Sequence, residues 1–335
     1  MSDYPLVSVC IANYNGEKIL NECINSVLKQ DYKHFEIIIH DDCSTDKSLA
    51  VLDSYKGKIK VINSTVNIGF CVSNNRMVSN ATGKYVLLLN NDAVLESTAI
   101  SSLVSAARTE CYGILTLVQK DYQSGEIIDN GRDLDIFLNP VPSFKQSHEV
   151  QDVMMVHGAC LFISKKLWDE IGGFPDSFGS IAEDLFISLT AIAKGYKVGS
   201  LNTSYYRHRN GYSFGGGSID NQSLSTSFNR RYLSERNRLL VMYILFPWSF
   251  RPWIFLQLLF LLIEGTLLSL IKVDSKIFFL IYYRAIRDFW KTKKLSVSGN
   301  HHTKLPHKVI FRLKILPYKL SMLLRFGLPE ISDST

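Results

Sequence analysis

The chain has 335 residues, 46% of them hydrophobic and 20% charged. That length buries a substantial core without disulfide or metal staples, and 20 glycines with 9 prolines exclude collagen-like and low-complexity classes. The formal charge of +6 is uneven: Arg284–Thr335 carries 11 basic and 3 acidic residues, a net of +8, which leaves 26 basic and 28 acidic residues, a net of −2, on 1–283. A nearly neutral body with a basic tail argues against a groove-reading nucleic-acid partner and for an anionic membrane surface.

In chain order, Leu6–Ala12 is a short apolar run with β-branched residues, a buried strand. Asn13, Tyr14, Asn15 and Gly16 break it. Glu17–Gln30 spaces Ile19, Leu20, Cys23, Ile24, Val27 and Leu28 as a helix does. Phe35–His40 is a second strand ending on Asp41-Asp42, and Ser44 and Asp46 start the helix Lys47–Tyr55. Lys58–Asn63 reads as a strand, Gly69–Ala81 as a helix, and Tyr85–Leu89 as a strand closing on Asn90-Asn91-Asp92. Met154–Ile163 is another apolar strand, with His157 inside it as a core histidine. Lys165–Ile171 is a helix stopped by Gly172-Gly173, and Glu183-Asp184 opens the helical segment Leu185–Lys194, ended by Gly195.

Strands alternating with helices predict an α/β fold with a parallel sheet covered on both faces. Ligands bind such sheets at the carboxyl ends of the strands. Three polar clusters fall there: Asn13–Asn15, Asp41-Asp42 and Asn90–Asp92. No G-x-G-x-x-G follows the first strand and no G-x-x-x-x-G-K-[ST] is present, so dinucleotide and P-loop sites are not expected. The six cysteines, Cys10, Cys23, Cys43, Cys71, Cys111 and Cys160, form no C-x-x-C pair and read as free thiols in a reducing compartment. The opening Met1-Ser2-Asp3-Tyr4-Pro5 has neither a basic nor a long apolar region, so no secretory signal is expected and the chain should stay on the cytosolic side.

Taken together, seven motifs resemble the family-2 inverting glycosyltransferases of the GT-A fold. They are Val7–Asn15, Phe35–Asp46 (similar to the family's D-D-x-S-x-D segment), Asn67-Ile68-Gly69-Phe70 with Asn74 and Asn75 behind it, Leu88–Asp92 at the D-x-D-like position, Gly158–Leu161, Gly172-Gly173-Phe174, and Glu183-Asp184. The resemblance covers about residues 6–240 and is closest to rhamnosyltransferase-like enzymes of bacterial surface-polysaccharide assembly. It implies a GT-A catalytic domain over 1–240 with a mixed, mainly parallel sheet. The remainder, 241–335, is expected to be an apolar and basic helical region that associates with a membrane or oligomerises. Asn90 stands where an Asp is common, and Phe186 and Thr190 replace the second Asp and the Arg of the E-D-x-D-x-x-x-R pattern. The Q-x-x-R-W signature of processive synthases is absent, which favours one sugar per acceptor visit.

The implied reaction moves a hexose or deoxyhexose from a nucleotide-diphosphate sugar to a hydroxyl of a glycan or lipid-linked glycan, in O-antigen, capsule or similar biosynthesis. The leaving diphosphate must be neutralised, the acceptor hydroxyl deprotonated, and the two held in line. Mg²⁺ or Mn²⁺, held by Asp92, Asn90 and His208, would do the first; on its own, Asn90–Asp92 also reads as a turn after a strand. Asp184 is the implied general base. Its neighbour Glu183, expected to orient the acceptor, would raise its pKa; both also fit a plain helix N-terminus. Ala12, Tyr14, Asn15, Asp42, Asn67, Gly69, Asn75 and Asn91 are the expected nucleotide-sugar contacts, with Tyr14 stacking on the base. Gly158, Arg230, Arg231 and Arg236 are expected at the acceptor or diphosphate, and Gly211 with Gly215–Gly217 at a loop closing over the donor. Two other readings are a nucleotidyltransferase, which Asn13–Lys18 does not support, and a catalytically degenerate membrane scaffold, supported by Phe186 and Asn90.

Trp253–Ile271 is 19 residues long with Gln257 and Glu264 as its strongly polar residues, and Pro247, Trp248, Pro252 and Trp253 stand at its start. With the donor and the basic tail both on the cytosolic side, one span is disfavoured. Helices in the interface, or packed on the catalytic domain or a second copy, are expected instead. Lys308–Phe326, a basic amphipathic stretch interrupted by Pro317, supports a peripheral or monotopic place on the cytoplasmic face of the inner membrane.

Overall fold

The computed structural model describes residues 4–109, 112–143, 149–209, 216–220, 223–293 and 303–332. Two compact units divide the chain: residues 1–132 with 142–209, and residues 133–141 with 210–335. The expected division at 240/241 falls within a continuous helix, α7 (Phe228–Leu245).

The first unit opens with β1 (Val7–Asn13), α1 (Leu20–Leu28), β2 (Phe35–Asp41), α2 (Ser48–Asp53), β3 (Lys60–Asn63), α3 (Phe70–Ser79) and β4 (Tyr85–Asn90). It continues with β5 (Ala93–Leu95), α4 (Ala99–Thr109), β6 (Tyr112–Asp121) and β7 (Ile127–Asp129). The short strands β8 (Arg132–Leu134) and β9 (Pro140–Pro142), which fall mostly in the 133–141 segment of the second unit, precede β10 (Val150–Asp152), β11 (Cys160–Ser164), α5 (Lys165–Ile171), α6 (Glu183–Ala193) and β12 (Lys197–His208). The main sheet runs β10-β12-β6-β11-β4-β1-β2-β3. β4, β1, β2 and β3 are mutually parallel, and β11 runs antiparallel to both β4 and β6. The sheet is thus mixed and mainly parallel, as expected.

β1, β2 and β4 are covered on both faces: Val9, Ile11, Ile37, Ile39, Leu87 and Leu89 on one and Cys10, Ile38 and Leu88 on the other are all but inaccessible; that double burial is why these strands read as apolar runs rather than alternations. β1 ends on Asn13 beside Asp41 of β2 and one residue past Asn90 of β4. The register therefore brings the three polar clusters to one sheet edge.

Two expected elements take a different form. The strand begins at Cys160, not Met154, because the chain turns at His157-Gly158, where Ala159 N donates to His157 Nδ1 (3.1 Å). α1 begins at Leu20 rather than Glu17, since Gly16 O already accepts from Ile19 and Leu20 in a turn.

The second unit contains β13 (Gly216–Asp220), β14 (Ser223–Ser227), α7, α8 (Arg251–Lys272), a π-helical stretch Ile277–Tyr283, α9 (Arg284–Thr292), α10 (His307–Ile310), α11 (Tyr318–Phe326) and β15 (Glu330–Ser332). The basic amphipathic stretch is thus two helices, and Pro317 stands at the N-cap of the second, where its fixed φ suits a helix start. The described cysteines are free thiols, and burial pushes Cys10 and Cys23 up and Cys160 up to about 12; Cys111 lies outside the described residues.

Candidate active site

The sheet edge is built first by side chains that hold its loops. Asn13 Nδ2 donates to Asp41 Oδ1 (2.8 Å), and Asn91 Nδ2 donates to Asn13 Oδ1 (2.9 Å), so the ends of β1, β2 and β4 share one buried polar ladder. Gly16 packs against it: a Cβ there would stand 2.1 Å from Asn13 Oδ1 and 2.7 Å from Asn91 Nδ2. Asn15 sits at φ 51°, its backbone N–H bonded to Ser44 Oγ and its Oδ1 accepting from Thr45 N (2.8 Å). Asn is among the few side chains that tolerate this region.

Asp42 is buried, and its two oxygens accept from Ile68 N and Gly69 N, each at 2.8 Å. A carboxylate at the start of α3 is favoured by the helix dipole. Gly69, at φ 85°, is the N-cap. Asn75 is held by the fold: Nδ2 donates to Phe174 O and Asp176 Oδ1, and Oδ1 accepts from Phe174 N. Asn67 is exposed, Tyr14 is 51% exposed, and Ala12 is half-buried on β1.

The expected cation ligands come together. Asp92 and His208 are both buried, with Asp92 Oδ1 3.0 Å from His208 Nε2. Asn90 Nδ2 lies 3.5 Å from the same Nε2, while Asn90 Oδ1 is buried and accepts no hydrogen bond among the described residues. An orphaned buried oxygen beside a carboxylate and an imidazole is a cost that a divalent cation would remove. Among the described residues no group of three His, Cys, Asp or Glu gathers. The set fits an ion that keeps most of its shell for phosphate and water.

His208 is held from behind by Gln119, whose Nε2 lies 3.2 Å from His208 Nδ1 and whose Oε1 accepts from Tyr206 Oη (3.0 Å). Gln119 lies near the end of β6 and carries no motif, so its role is not legible in the sequence. Arg209 N donates to Asp92 O, and the Arg209 side chain pairs with Glu22 (2.6 Å) while stacking 3.4 Å over Tyr122.

Asp184 and Glu183 are buried in the first turn of α6. The two residues before them, Ile181 and Ala182, sit at φ 67° and 68°. Two consecutive side-chain-bearing residues in the left-handed region, one of them β-branched, store strain at this turn. Asp184 Oδ1 accepts from Leu185 N (2.8 Å) and Oδ2 from Gly158 N (3.1 Å). Burial pushes the Asp184 carboxyl above its ordinary value; the charge of Arg132, itself paired with Asp129, and the two N–H bonds pull against burial without cancelling it. Gly158 packs close against both acids: a Cβ would stand 3.2 Å from Glu183 Oε1 and 3.5 Å from Asp184.

His157-Gly158-Ala159 joins the two halves of the site. Ala159 O accepts from Asn90 N, Gly158 N donates to Asp184, and the His157 ring lies 5.6 Å from the His208 ring. His157 is therefore a site-lining residue at a turn, a correction to its expected place inside a strand. Phe186 is fully buried 5.8 Å from the Phe178 ring, and Thr190 Oγ1 donates to Phe186 O. The two departures from the E-D-x-D-x-x-x-R pattern are core positions in this chain.

Arg230, Arg231 and Arg236 lie on α7 in the other unit. Arg230 N donates to the capping Ser227, Arg231 pairs with Glu235 and Glu264, and Arg236 Nη1 donates to Tyr232 Oη. Of the expected loop, Gly211 and Gly215 lie outside the described residues, and Gly216 and Gly217 open strand β13.

The glycosyl transferase family 2 model matches residues 8–172. Over 214 residues, 60% of this chain and 32% of the relative, the sequence is 29% identical to a poly(ribitol-phosphate) beta-glucosyltransferase of Bacillus spizizenii. Over 90 residues, 25% of this chain and 16% of the relative, it is 37% identical to the poly(ribitol-phosphate) beta-N-acetylglucosaminyltransferase TarS of Staphylococcus aureus. The chain spans about a third of the length of several curated relatives it matches. Among solved structures, GalNAc-T7 with UDP, GalNAc and Mn²⁺ superposes with a TM-score of 0.60 at 19% identity, over 72% of this chain and 49% of that one. S. aureus TarS 1–349 with UDP superposes at 0.51 and 17%, over 87% and 90%. These likenesses establish a GT-A-like fold.

Proposed function

This chain carries a glycosyl transferase family 2 domain over residues 8–172, and on that premise we propose that it transfers one sugar, with inversion, from a nucleotide-diphosphate sugar to a hydroxyl of a glycan or lipid-linked glycan in bacterial surface-polysaccharide assembly. The observation that carries the reading is the buried Asp92–His208 pair with the orphaned Asn90 Oδ1, joined by the 157–159 turn to a buried acid with a raised pKa. The family match supports the reaction class. The relatives named as poly(ribitol-phosphate) transferases support a surface-polymer acceptor.

In this reading Asp92, Asn90 and His208 hold Mg²⁺ or Mn²⁺. The ion, when bound, supplies Lewis-acid neutralisation of the diphosphate. To offer Nε2, His208 carries its proton on Nδ1, and Gln119 accepts that proton with its amide turned over. Asp184 takes the proton of the acceptor hydroxyl at Oδ1 or Oδ2, and its raised pKa brings it nearer working pH. Glu183 orients the acceptor, Gly158 leaves room for it, and Tyr14 with the Asp42–Gly69 rim receives the nucleotide.

The test is nucleotide release from a panel of nucleotide sugars with Mn²⁺ or Mg²⁺, with NMR of the product anomer. Chelation, Asp92→Ala and Asp184→Asn are each expected to abolish turnover. Full activity in both variants overturns the assignment.

A further inference from the structure

The stretch Trp248–Lys272 is long and apolar enough to cross a membrane by length and composition, with mean hydropathy 2.3. Its polar residues point to another placement. Gln257, Leu261, Gly265 and Leu268 are buried along one side of α8. Gly265 accepts the ring of Tyr282 from the π-helical stretch so closely that a Cβ would stand 2.7 Å from it, so α8 and the segment after it form a tight helical hairpin. Glu264, on the same side, pairs with Arg231 of α7 (2.6 Å) and Lys319 of α11 (2.7 Å). Sending α8 across a bilayer would drag those charges into hydrocarbon or leave Glu264 without them, and both are costly.

The opposite side is apolar and uncovered. Phe255 is 64% exposed, Leu259 53% and Leu270 70%, with Leu262, Ile263 and Leu267 between them at helical spacing. A contiguous apolar face of this size marks an interaction site. Its ends carry the groups that favour a charged interface: Trp248, 73% exposed, lies under the Arg251 guanidinium at 3.6 Å, and Lys272 and Lys276 are exposed at the far end. Among the residues of this unit whose exposure is described, eight lysines and arginines are exposed, Arg312 and Arg325 among them, against the one carboxylate of Glu330. That imbalance selects an anionic surface, and the apolar stripe selects one with a hydrocarbon interior.

We propose that this face of α8 docks the protein in the plane of one leaflet of an anionic bilayer, without crossing it. The inference is independent of the transfer chemistry. It is tested by flotation of the full chain with phosphatidylglycerol-containing and with purely phosphatidylcholine vesicles. Binding is expected to the anionic vesicles and to weaken with salt. Leu259→Glu with Leu270→Glu is expected to lower the partition on the order of a hundredfold, with an unchanged circular dichroism spectrum because both side chains are exposed.

Placement is read from a nitrobenzoxadiazole label on Ser249→Cys or Val273→Cys, with Cys43 and Cys111 replaced by serine, and dithionite added outside. Both labels are expected to be reduced at once. Protection of one end means a span and overturns the proposal. So does equal binding to neutral vesicles, or a double substitution that dissolves a dimer while leaving the partition unmoved.

Discussion

Both units of the chain bury carboxylates, and they treat them in opposite ways. In the helical unit, Glu235 is inaccessible yet ringed by cations: Arg238 and Lys319 bond it, and Arg231 lies 3.0 Å away. Burial alone would raise its pKa, but the three charges outweigh burial and hold it down to about 2. In the first unit, Asp184 is also buried but has the charge of Arg132 and backbone donors against burial, which do not cancel it, so its pKa rises. Asn90 Oδ1 there has no partner at all among the described residues. A buried charge neutralised by its neighbours is architecture, whereas one left under-neutralised is poised for a ligand or a proton.

The largest effect expected from this contrast is on Asp184. Asp184→Asn should lower kcat by about 10²–10⁴-fold with the nucleoside diphosphate Kd unchanged by calorimetry. A raised pKa leaves more of the acid protonated at any given pH, so activity should be lost earlier as pH falls. The acid limb of kcat/KM in the wild type should therefore lie above the ordinary aspartate value of 3.8. A limb at or below that value would break the contrast.

Next is Glu235→Gln, which leaves Arg238 without its buried counter-charge, while Lys319 keeps only Glu264. The expected cost is about 3–5 kcal/mol, read from urea unfolding followed by tryptophan fluorescence. Because the folded pKa lies below the unfolded one, Glu235 contributes stability above pH 4.5 that is lost as pH falls toward 2. The variant should lose that part of the acid sensitivity. An unchanged acid transition would mean the network is not what neutralises Glu235.

The same contrast explains what was legible in the sequence. β1, β2 and β4 are covered on both faces, so their apolar runs announce them, and the polar residues that end them stand out as site candidates. His157 was hidden because its turn lies within an apolar run, and only the Gly158 N–H bond to Asp184 reveals why the chain bends there. Asn75 follows an expected binding motif, yet its amide is used by a loop 99 residues away, a contact that no local pattern encodes. Gln119 reaches His208 only because β6 and β12 pair in parallel, Gln119 opposite Tyr206.

Gln119 offers a smaller and sharper probe of the under-neutralised half. Gln119→Leu removes the partner of His208 Nδ1 and leaves Asp92 and Asn90 in place. Outer-shell partners of this kind typically change metal affinity 10–100-fold, so Mn²⁺ binding in the presence of nucleoside diphosphate should weaken by about that factor. Since Gln119 also bonds Tyr206, Gln119→Glu serves as the comparison: it restores an acceptor for Nδ1–H and should recover most of the affinity. If both variants bind Mn²⁺ like the wild type, His208 is a hydrogen-bond partner of Asp92 and not a ligand.

The smallest expected effect belongs to Tyr14, at the open rim of the same edge. Its ring is half exposed and its neighbours Asn13 and Asn15 are both held by the fold, so the backbone presents the ring without the core depending on it. Tyr14→Leu should leave the unfolding midpoint unmoved, because an exposed side chain contributes little to stability. It should raise the Kd for a nucleoside diphosphate by roughly two- to twelve-fold, the equivalent of about 0.5–1.5 kcal/mol for one lost aromatic stack. Tyr14→Phe separates stacking from hydrogen bonding: retention of wild-type affinity assigns the interaction to the ring face, and a loss equal to that of Tyr14→Leu assigns it to the hydroxyl. A fall in stability without a change in Kd would instead move Tyr14 from the group of residues poised for a ligand to the group that holds the fold.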